Sequence, residues 1–425
     1  MLTAISRYGV RVPPSASRII AECSRLGQLV QGPRIGELEE SFAQYHGGGE
    51  AISASYGRMA FHYILQALEL PAGSEIVFPA LTFWVVPEMA RTLGLRPVFA
   101  DIDPLTFNLD PDSLERVITE RTRAVVPTHL YGLPCDMDSI LRVAERYQLH
   151  VIEDCAHSLG ARYRGRRVGT FGDAAFFSFQ SLKPLNTFGG GMALVQDRRL
   201  AEGVRKLARA EPWPDETQVR KRLRLGRLQR FFTRPGVFSL TGFPVLWLAS
   251  WFRARPDIYL WEKIRPLEPL PGSYRGRYSN VQAALGLAGL NELERWNAET
   301  RAHAEVMIAA LADRREIQLP RAPAGCEHIY YQFCIHVPDR DALVRAAIRR
   351  GVDLETLHID VCTRLPLFRE SEVDAPVAEH AAETVQLPVY QMLSSVEVER
   401  AARRIRRALA GRRLTEPIHG PQAAV

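Results

Sequence analysis

Short apolar runs alternate with longer segments of helical period through the first half of the chain. Ala51–Ser53, Glu75–Phe78, Pro97–Ala100, Ala124–Pro127, Val151–Glu153, Ala174–Phe179 and Gly191–Val195 have the length and apolar content of buried strands. The segments near 58–69, 84–94, 112–119 and 136–147 return their apolar residues at helical spacing. Strands alternating with helices predict a mostly parallel sheet covered on both faces. The alternation stops in the second half. Helices near 282–311, 339–350 and 394–410 and a strand over Ile329–Val337 predict a smaller α+β unit. The chain thus divides into an N-terminal segment (1–30), a large α/β domain (31–271), a small C-terminal domain (272–415) and a tail (416–425).

Residues 206–271 interrupt this pattern. Arg220, Lys221, Arg222, Arg224, Arg227, Arg230 and Arg234 occur with no acidic residue between Thr217 and Pro256. Leu223, Leu225, Leu228, Phe231 and Phe232 are interleaved with them. Pro235 to Phe252 then carries no charge, and Arg253 and Arg255 close the run. Four of the six Trp (213, 247, 251 and 261) fall in this insertion, which concentrates amphipathic rings where the net charge of +6 is also gathered. The uncharged run is too short, and too broken by Pro235, Gly236, Gly242 and Pro244, to span a bilayer. Its composition fits a peripheral contact of residues 217–256 with an anionic membrane. The competing expectation is an insertion packed on the protein or in a dimer interface. No nucleic-acid recognition module accompanies the arginines.

The six Cys form no C-x-x-C pair, so zinc and thioredoxin-type chemistry find no support and no metal is expected. The N-terminus has no apolar run of signal-peptide length, and a reducing cytoplasmic location is expected.

Of 54 Lys+Arg only four are Lys: 183, 206, 221 and 263. A Lys kept in an Arg-rich chain suggests a need for an amine that can lose its proton. Lys183 follows the apolar run Phe176–Phe179 and a polar turn, and precedes Gly189, Gly190 and Gly191. This context suits a Schiff-base lysine, although a solvated loop lysine has the same appearance. Val151-Ile152-Glu153-Asp154 reads as a buried strand ending in a carboxylate, where α/β sheets bind ligands. A strand-end Asp is more often a cap or turn former. Paired with a lysine 29 residues later, Asp154 is better read as the acid that holds a pyridine nitrogen protonated.

With those residues in view, the chain resembles the sugar aminotransferases of the DegT/DnrJ/EryC1/StrS group. The resemblance rests on Val151–His157, Gly160-Ala161, Gly165, Val168-Gly169, Gly172-Asp173, Ser178-Phe179 and Lys183. Phe78–Phe83, Pro97–Asp103, His129–Gly132, Arg277–Ser279 and Gln282–Gly286 add to it. It covers roughly residues 30–205 and 272–410 and is looser in the C-terminal part. It implies the type I fold of pyridoxal 5'-phosphate (PLP) enzymes and transfer of an amino group, with L-glutamate the expected donor, to a keto-sugar. The sugar would be nucleotide-linked or lipid-linked, for surface polysaccharide or secondary-metabolite biosynthesis. It also implies a homodimer.

The resemblance assigns roles. Lys183 would hold the cofactor as an imine and then act as the base. Asp154 would pair with the pyridinium nitrogen, and His157 would hydrogen-bond the ring hydroxyl. Phe83, or its neighbour Trp84, would stack on the ring. Ser178, with the backbone at Gly57 and Arg58, would bind the phosphate, and Arg275 or Arg277 would reach a partner's phosphate. Four residues depart from the family's usual pattern: Arg58 for Thr, His157 for Gln, Gly189 for an acid and Arg275 for Asn. They leave the sugar open. Relatives with His at the lysine position remove a hydroxyl group instead, so Lys183 favours amine transfer over dehydration or a non-catalytic, regulatory role.

Overall fold

The computed structural model describes residues 3–251, 263–356, 359–370, 373–381 and 383–410. Arg253, Arg255 and Trp261 of the insertion, and the tail 416–425, lie outside them.

Helices α1 (Ala16–Arg25) and α2 (Arg34–His46) lead into β1 (Glu50–Ala54) and α3 (Gly57–Ala67). The alternation continues with β2 (Glu75–Pro79), α4 (Val85–Arg91), β3 (Arg96–Ala100), α5 (Pro111–Val117), β4 (Thr122–Val125), α6 (Met137–Tyr147) and β5 (His150–Asp154). β6 (Ala174–Ser178), β7 (Gly191–Val195) and α7 (Arg198–Ala210) complete it. The seven strands form one sheet in the order β1-β7-β6-β5-β4-β2-β3. Only β7 runs against the others. Strand boundaries fall within a few residues of those the sequence predicts, because each apolar run is buried on both faces and cannot end in mid-core. Helix starts are equally local in origin. Asp110 accepts the N–H of Ser113 with Pro111 at the first helical position, and Asp197 accepts that of Leu200.

The sheet separates two apolar layers. Ile152, Ala174 and Phe176 pack with Phe61 of α3, Met89 of α4 and Val204 of α7. On the opposite face Val151 packs with Ile140 of α6, while Ala175 and Phe177 pack with Phe42 of α2 and Leu293 of the long helix that follows.

Three helices follow α7: α8 (Glu216–Phe232), α9 (Pro235–Leu240) and α10 (Gly242–Ala249). This insertion is partly packed on the protein. Val219 and Leu223 join a cluster with Val10, Cys23 and Phe188. A Cβ at Gly226 would lie 2.0 Å from the Phe188 ring, so the close approach of α8 requires glycine there. Phe238 and Leu246 are buried in the C-terminal core, with Phe243 and Trp247 packed against it. The same helices leave Leu225, Leu228, Phe231, Phe232, Val245 and Leu248 exposed, with Leu240 77% and Trp251 55% accessible. No helix among the described residues is long and apolar enough to cross a membrane.

The C-terminal part is built on α11 (Asn280–Leu311), β8 (Phe333–His336), α12 (Arg340–Arg349), β9 (Glu355–Thr356), β10 (Thr384–Leu387) and α13 (Ser395–Ala410). Its antiparallel sheet has the order β8-β10-β9. The strand expected over Ile329–Val337 is shorter than its apolar pattern. Residues before Phe333 leave the sheet because Ile329 and Gln332 donate their N–H groups to Gly132 and Tyr131. Those bonds dock the segment on the large domain beside the cavity described next.

Candidate active site

A cavity of about 560 Å³ opens at the carboxyl ends of β5 and β6, between the two sheets. Gly57, Arg58, Phe83, Asp154, His157, Ser178 and Lys183 all line it. Seven residues from five stretches of sequence therefore meet at one place. Trp84 does not join them. It is 1% exposed in the core, its N–H bonded to Asp360 Oδ2 at 3.2 Å, so of the two adjacent aromatics Phe83 alone faces the cavity. Arg275 and Arg277 are also elsewhere. Arg275 Nε donates to the Glu211 carboxylate at 3.1 Å, and Arg277 lies over Trp213 with its Nε bonded to the Glu211 carbonyl. Both lie outside the cavity of their own chain.

Lys183 stands on the loop between β6 and β7. The loop is closed at its base by the N–H groups of Thr187 and Gly189, both bonded to Phe179 O at 3.1 Å. The Lys183 N–H bonds to Gln180 O at 2.9 Å, and its ammonium lies 5.2 Å from the Tyr331 ring centre. Burial drives its pKa down to about 8, with Arg58 pushing the same way and Asp154 opposing. Asp154 is almost fully buried at the end of β5 and accepts the Ala156 N–H at 2.9 Å. Burial raises its carboxyl to about 6, against the pull of that N–H and of Lys183. The two shifts share one cause: each group is short of solvent, and neither fully compensates the other.

The His157 ring packs against Tyr331, with the ring centres 4.6 Å apart and the planes inclined at 42°. Gly57 begins α3 where the chain comes tightest against the β6–β7 hairpin: a Cβ there would lie 2.8 Å from Phe177 O. Arg58 Nη1 donates to the Tyr274 hydroxyl at 2.6 Å, and its guanidinium lies 5.6 Å from the Phe83 ring centre. The donor set fits a phosphorylated, cationic aromatic aldehyde. Asp154 offers a buried carboxylate to a ring cation and Lys183 an amine to a carbonyl. The α3 N-terminus with Arg58 and Ser178 offers N–H, cationic and hydroxyl groups to a phosphate.

Among the cavity residues that escaped the sequence reading are Tyr331 and Arg11. Tyr331 sits in the segment that leaves the C-terminal sheet, which no local pattern announces. Arg11 had a signal. It is a charge between Val10 and Val12, both of them buried.

The comparisons with known proteins agree with this geometry. Residues 15–227 and 256–406 match the DegT/DnrJ/EryC1/StrS aminotransferase family, and the interval between them falls inside the insertion. The chain is 29% identical over 408 residues to a pleiotropic regulatory protein of Geobacillus stearothermophilus, covering 94% of this chain and 96% of the relative. It is 30% identical over 377 residues to the UDP-N-acetyl-3-dehydro-alpha-D-glucosamine 3-aminotransferase of Acidithiobacillus ferrooxidans, covering 88% of each. Among solved structures, the aminotransferase TlmJ of Streptoalloteichus hindustanus superposes with a TM-score of 0.77 at 26% identity, covering 96% of this chain and 99% of that one. S. venezuelae DesV, solved with a ketimine intermediate, superposes with a TM-score of 0.74 at 27% identity over 94% and 95% of the two chains. The chain belongs to the DegT/DnrJ/EryC1/StrS aminotransferase family and is a pyridoxal-phosphate-dependent aminotransferase of the type I fold.

Proposed function

We propose that this enzyme moves an amino group from L-glutamate to a keto-sugar carried on a nucleotide diphosphate, with Lys183 and Asp154 as the catalytic pair. The carrying observation is that Lys183 and Asp154 face one cavity with pKa values pushed toward each other by shared burial. Bound PLP supplies an electron sink for the carbon that gains or loses the amino group. Lys183 Nζ, lowered to about 8, is neutral often enough near neutral pH to take a proton from that carbon and return it. The Asp154 carboxylate would hold the ring nitrogen cationic. Gly57, Arg58 and Ser178 would hold the phosphate, Phe83 would pack against the ring, and His157 would hydrogen-bond its hydroxyl. Arg275, tied to Glu211 outside its own cavity, would serve the neighbouring site of a homodimer. Mixed dimers of Lys183→Ala and Arg275→Ala chains should then recover part of the activity, and no recovery would confine Arg275 to its own chain.

The experiment is transfer of ¹⁵N from labelled L-glutamate to UDP- and dTDP-linked keto-sugars, followed by mass spectrometry. Lys183→Ala should lower transfer by about 10³-fold or more and remove the borohydride-trappable adduct. A wild-type protein that keeps its visible cofactor band yet labels no keto-sugar would sink this reading.

The insertion supports a second element of the proposal, peripheral contact with an anionic membrane and hence access to lipid-linked sugars. On α8 the exposed Leu225, Leu228, Phe231 and Phe232 follow and interleave with the exposed Arg220, Lys221, Arg224 and Arg227, and α9 and α10 add the exposed Leu240, Val245 and Leu248. Each such cation near an anionic surface contributes on the order of 1 kcal/mol. Wild type should sediment with anionic vesicles at low salt, and a variant with Arg220, Arg224 and Arg227 changed to Gln should not. Wild type remaining in the supernatant would leave the insertion as a packed lid or a dimer contact.

A further inference from the structure

Arg11 is 7% exposed and lines the cavity beside Lys183, Thr300 and Tyr331. Its donors go to neutral acceptors. Nε bonds to Gln391 Oε1 at 3.0 Å, Nη1 to Asn297 Oδ1 at 2.9 Å and to Pro184 O at 3.4 Å, and Nη2 to Thr300 Oγ1 at 2.7 Å. Among the described residues no carboxylate forms an ion pair with it; Glu299, paired to Arg295, acts on it only from a distance. Arg7 has Asp353 and Glu355, and Arg314 has Glu316, whereas the half-buried Arg230 and Arg404 form no ion pair among the described residues; Arg11 differs from those two in being almost fully buried and in lining the cavity. A buried cation without a counter-ion is costly, and a neutral amide could have tied the same elements together. The charge is therefore explained by an anion that is not part of the protein. Of the two protons on Nη2, the Thr300 hydroxyl takes one, which leaves the other for such an anion. The bond from Nη1 to Pro184 O places the guanidinium one residue from Lys183.

We infer that Arg11 is the receptor for a carboxylate of the amino donor, holding the amino acid with its amine toward Lys183. This rests on the aminotransferase reading and adds to it a donor subsite on the N-terminal segment. Arg275 and Arg58 are poorer receptors for this purpose: one is paired with Glu211 outside the cavity, and the other lies over Phe83 with its Nη1 on Tyr274. An Arg11–carboxylate pair formed inside the cavity also accounts for the burial of the guanidinium, because the donor brings the compensating charge.

The test uses purified holoprotein and two probes. Glutarate, a dicarboxylate that cannot react, is titrated by calorimetry. L-Glutamate is mixed in single turnover while the visible cofactor band is followed. Arg11→Gln should weaken glutarate binding at least tenfold and raise the glutamate concentration at half-maximal rate by a similar factor. The saturating rate should change less, as expected when ground-state binding is lost. Arg11→Lys should recover part of the affinity, which a purely structural role would not require. L-Glutamine in place of L-glutamate distinguishes the two carboxylates: equal losses assign the α-carboxylate, and a loss confined to glutamate assigns the distal one. Arg11→Met preserves the packed stem should the Gln variant not fold. Unchanged glutarate binding in a folded Gln or Met variant, or no glutarate binding by wild type, would overturn the inference. A wild-type holoprotein inert toward every amino acid would instead overturn the aminotransferase reading.

Discussion

Glu153 and Asp154 are consecutive on β5, equally buried and identically charged when ionised, yet they face opposite sides of the sheet and meet opposite surroundings. Glu153 is saturated. Its Oε1 accepts the N–H groups of Phe171 and Gly172 at 2.7 and 2.9 Å, and its Oε2 accepts Gly169 N–H at 2.7 Å and His129 Nε2 at 3.0 Å. His129 Nδ1 accepts the Cys135 N–H, which places the ring proton on Nε2 and directs it at Glu153. Burial alone would raise the Glu153 pKa, but His129 and the backbone donors outweigh it and hold the group below the ordinary range. Among the described residues Asp154 accepts one hydrogen bond, from Ala156 N–H, and burial raises it to about 6. A buried carboxylate met by the protein's own donors is already compensated, and one left short of them can take a donor from a ligand. The same logic disposes of the His129, Glu153 and Cys155 cluster as a metal centre. Its atoms lie within 4.8 Å of one another, but the lone pairs of Glu153 and the ring proton of His129 are already committed.

The comparison can be broken by exchanging what each carboxylate loses. The largest effect belongs to the ligand side. Asp154→Ala should cut turnover by about 10²–10³-fold with little change in folding, measured as single-turnover rate and thermal midpoint. Near wild-type turnover would remove the residue from the mechanism. On the other face, Glu153→Gln turns an amide NH₂ toward donors and should cost about 2–3 kcal/mol of stability in denaturant titration. The folded fraction should still turn over, so a loss of rate without a loss of stability would erase the distinction between the two faces.

The smallest effect sharpens the contrast through pH. A carboxyl raised to about 6 on folding, from 3.8, opposes folding wherever it is ionised, and the penalty fades as pH falls from 6 toward 4. Cofactor-free Asp154→Asn should therefore be more stable than wild type at pH 8, by of order 1 kcal/mol, with the gap closing at pH 5. Glu153 carries the opposite sign. Its folded pKa is depressed, so its contribution is complete above its unfolded value of about 4.5 and is lost as the pH drops further. Melting midpoints of wild type, Asp154→Asn and Glu153→Gln from pH 4 to 8 would separate the two curves. Parallel curves would mean that the faces do not differ electrostatically.

The two carboxylates also mark the reach of sequence reasoning. A strand ending in Glu-Asp is visible in the sequence, and Lys183 gives Asp154 its meaning. Glu153 has no such partner in sequence, because its donors come from His129 and from residues 169–172. Strand positions were legible for the same reason that Lys183 was: apolar runs and rare residues are local signals. Phe83 and Trp84 could not be separated, since neighbouring aromatics look alike until one faces a cavity. The strand expected over Ile329–Val337 was too long, because bonds to Tyr131 and Gly132 draw its first residues away. The insertion was visible by composition, but the burial of Val219, Leu223, Phe238 and Leu246 depended on partners distant in the chain.

The sequence by itself determined the elements and nominated the proposed catalytic pair. Apolar period sets strand and helix within a few residues, Asp110 and Asp197 cap their own helices, and a lone Lys before three glycines marks its own chemistry. Tertiary structure decided which of two adjacent carboxylates is left short of donors, which of two adjacent aromatics faces the cavity, and that Arg11 and Tyr331 line it. The physical reason is that hydrogen-bond saturation and desolvation depend on what surrounds a group in space. Those surroundings here are supplied by residues up to 380 positions away, as in the bond from Arg11 to Gln391.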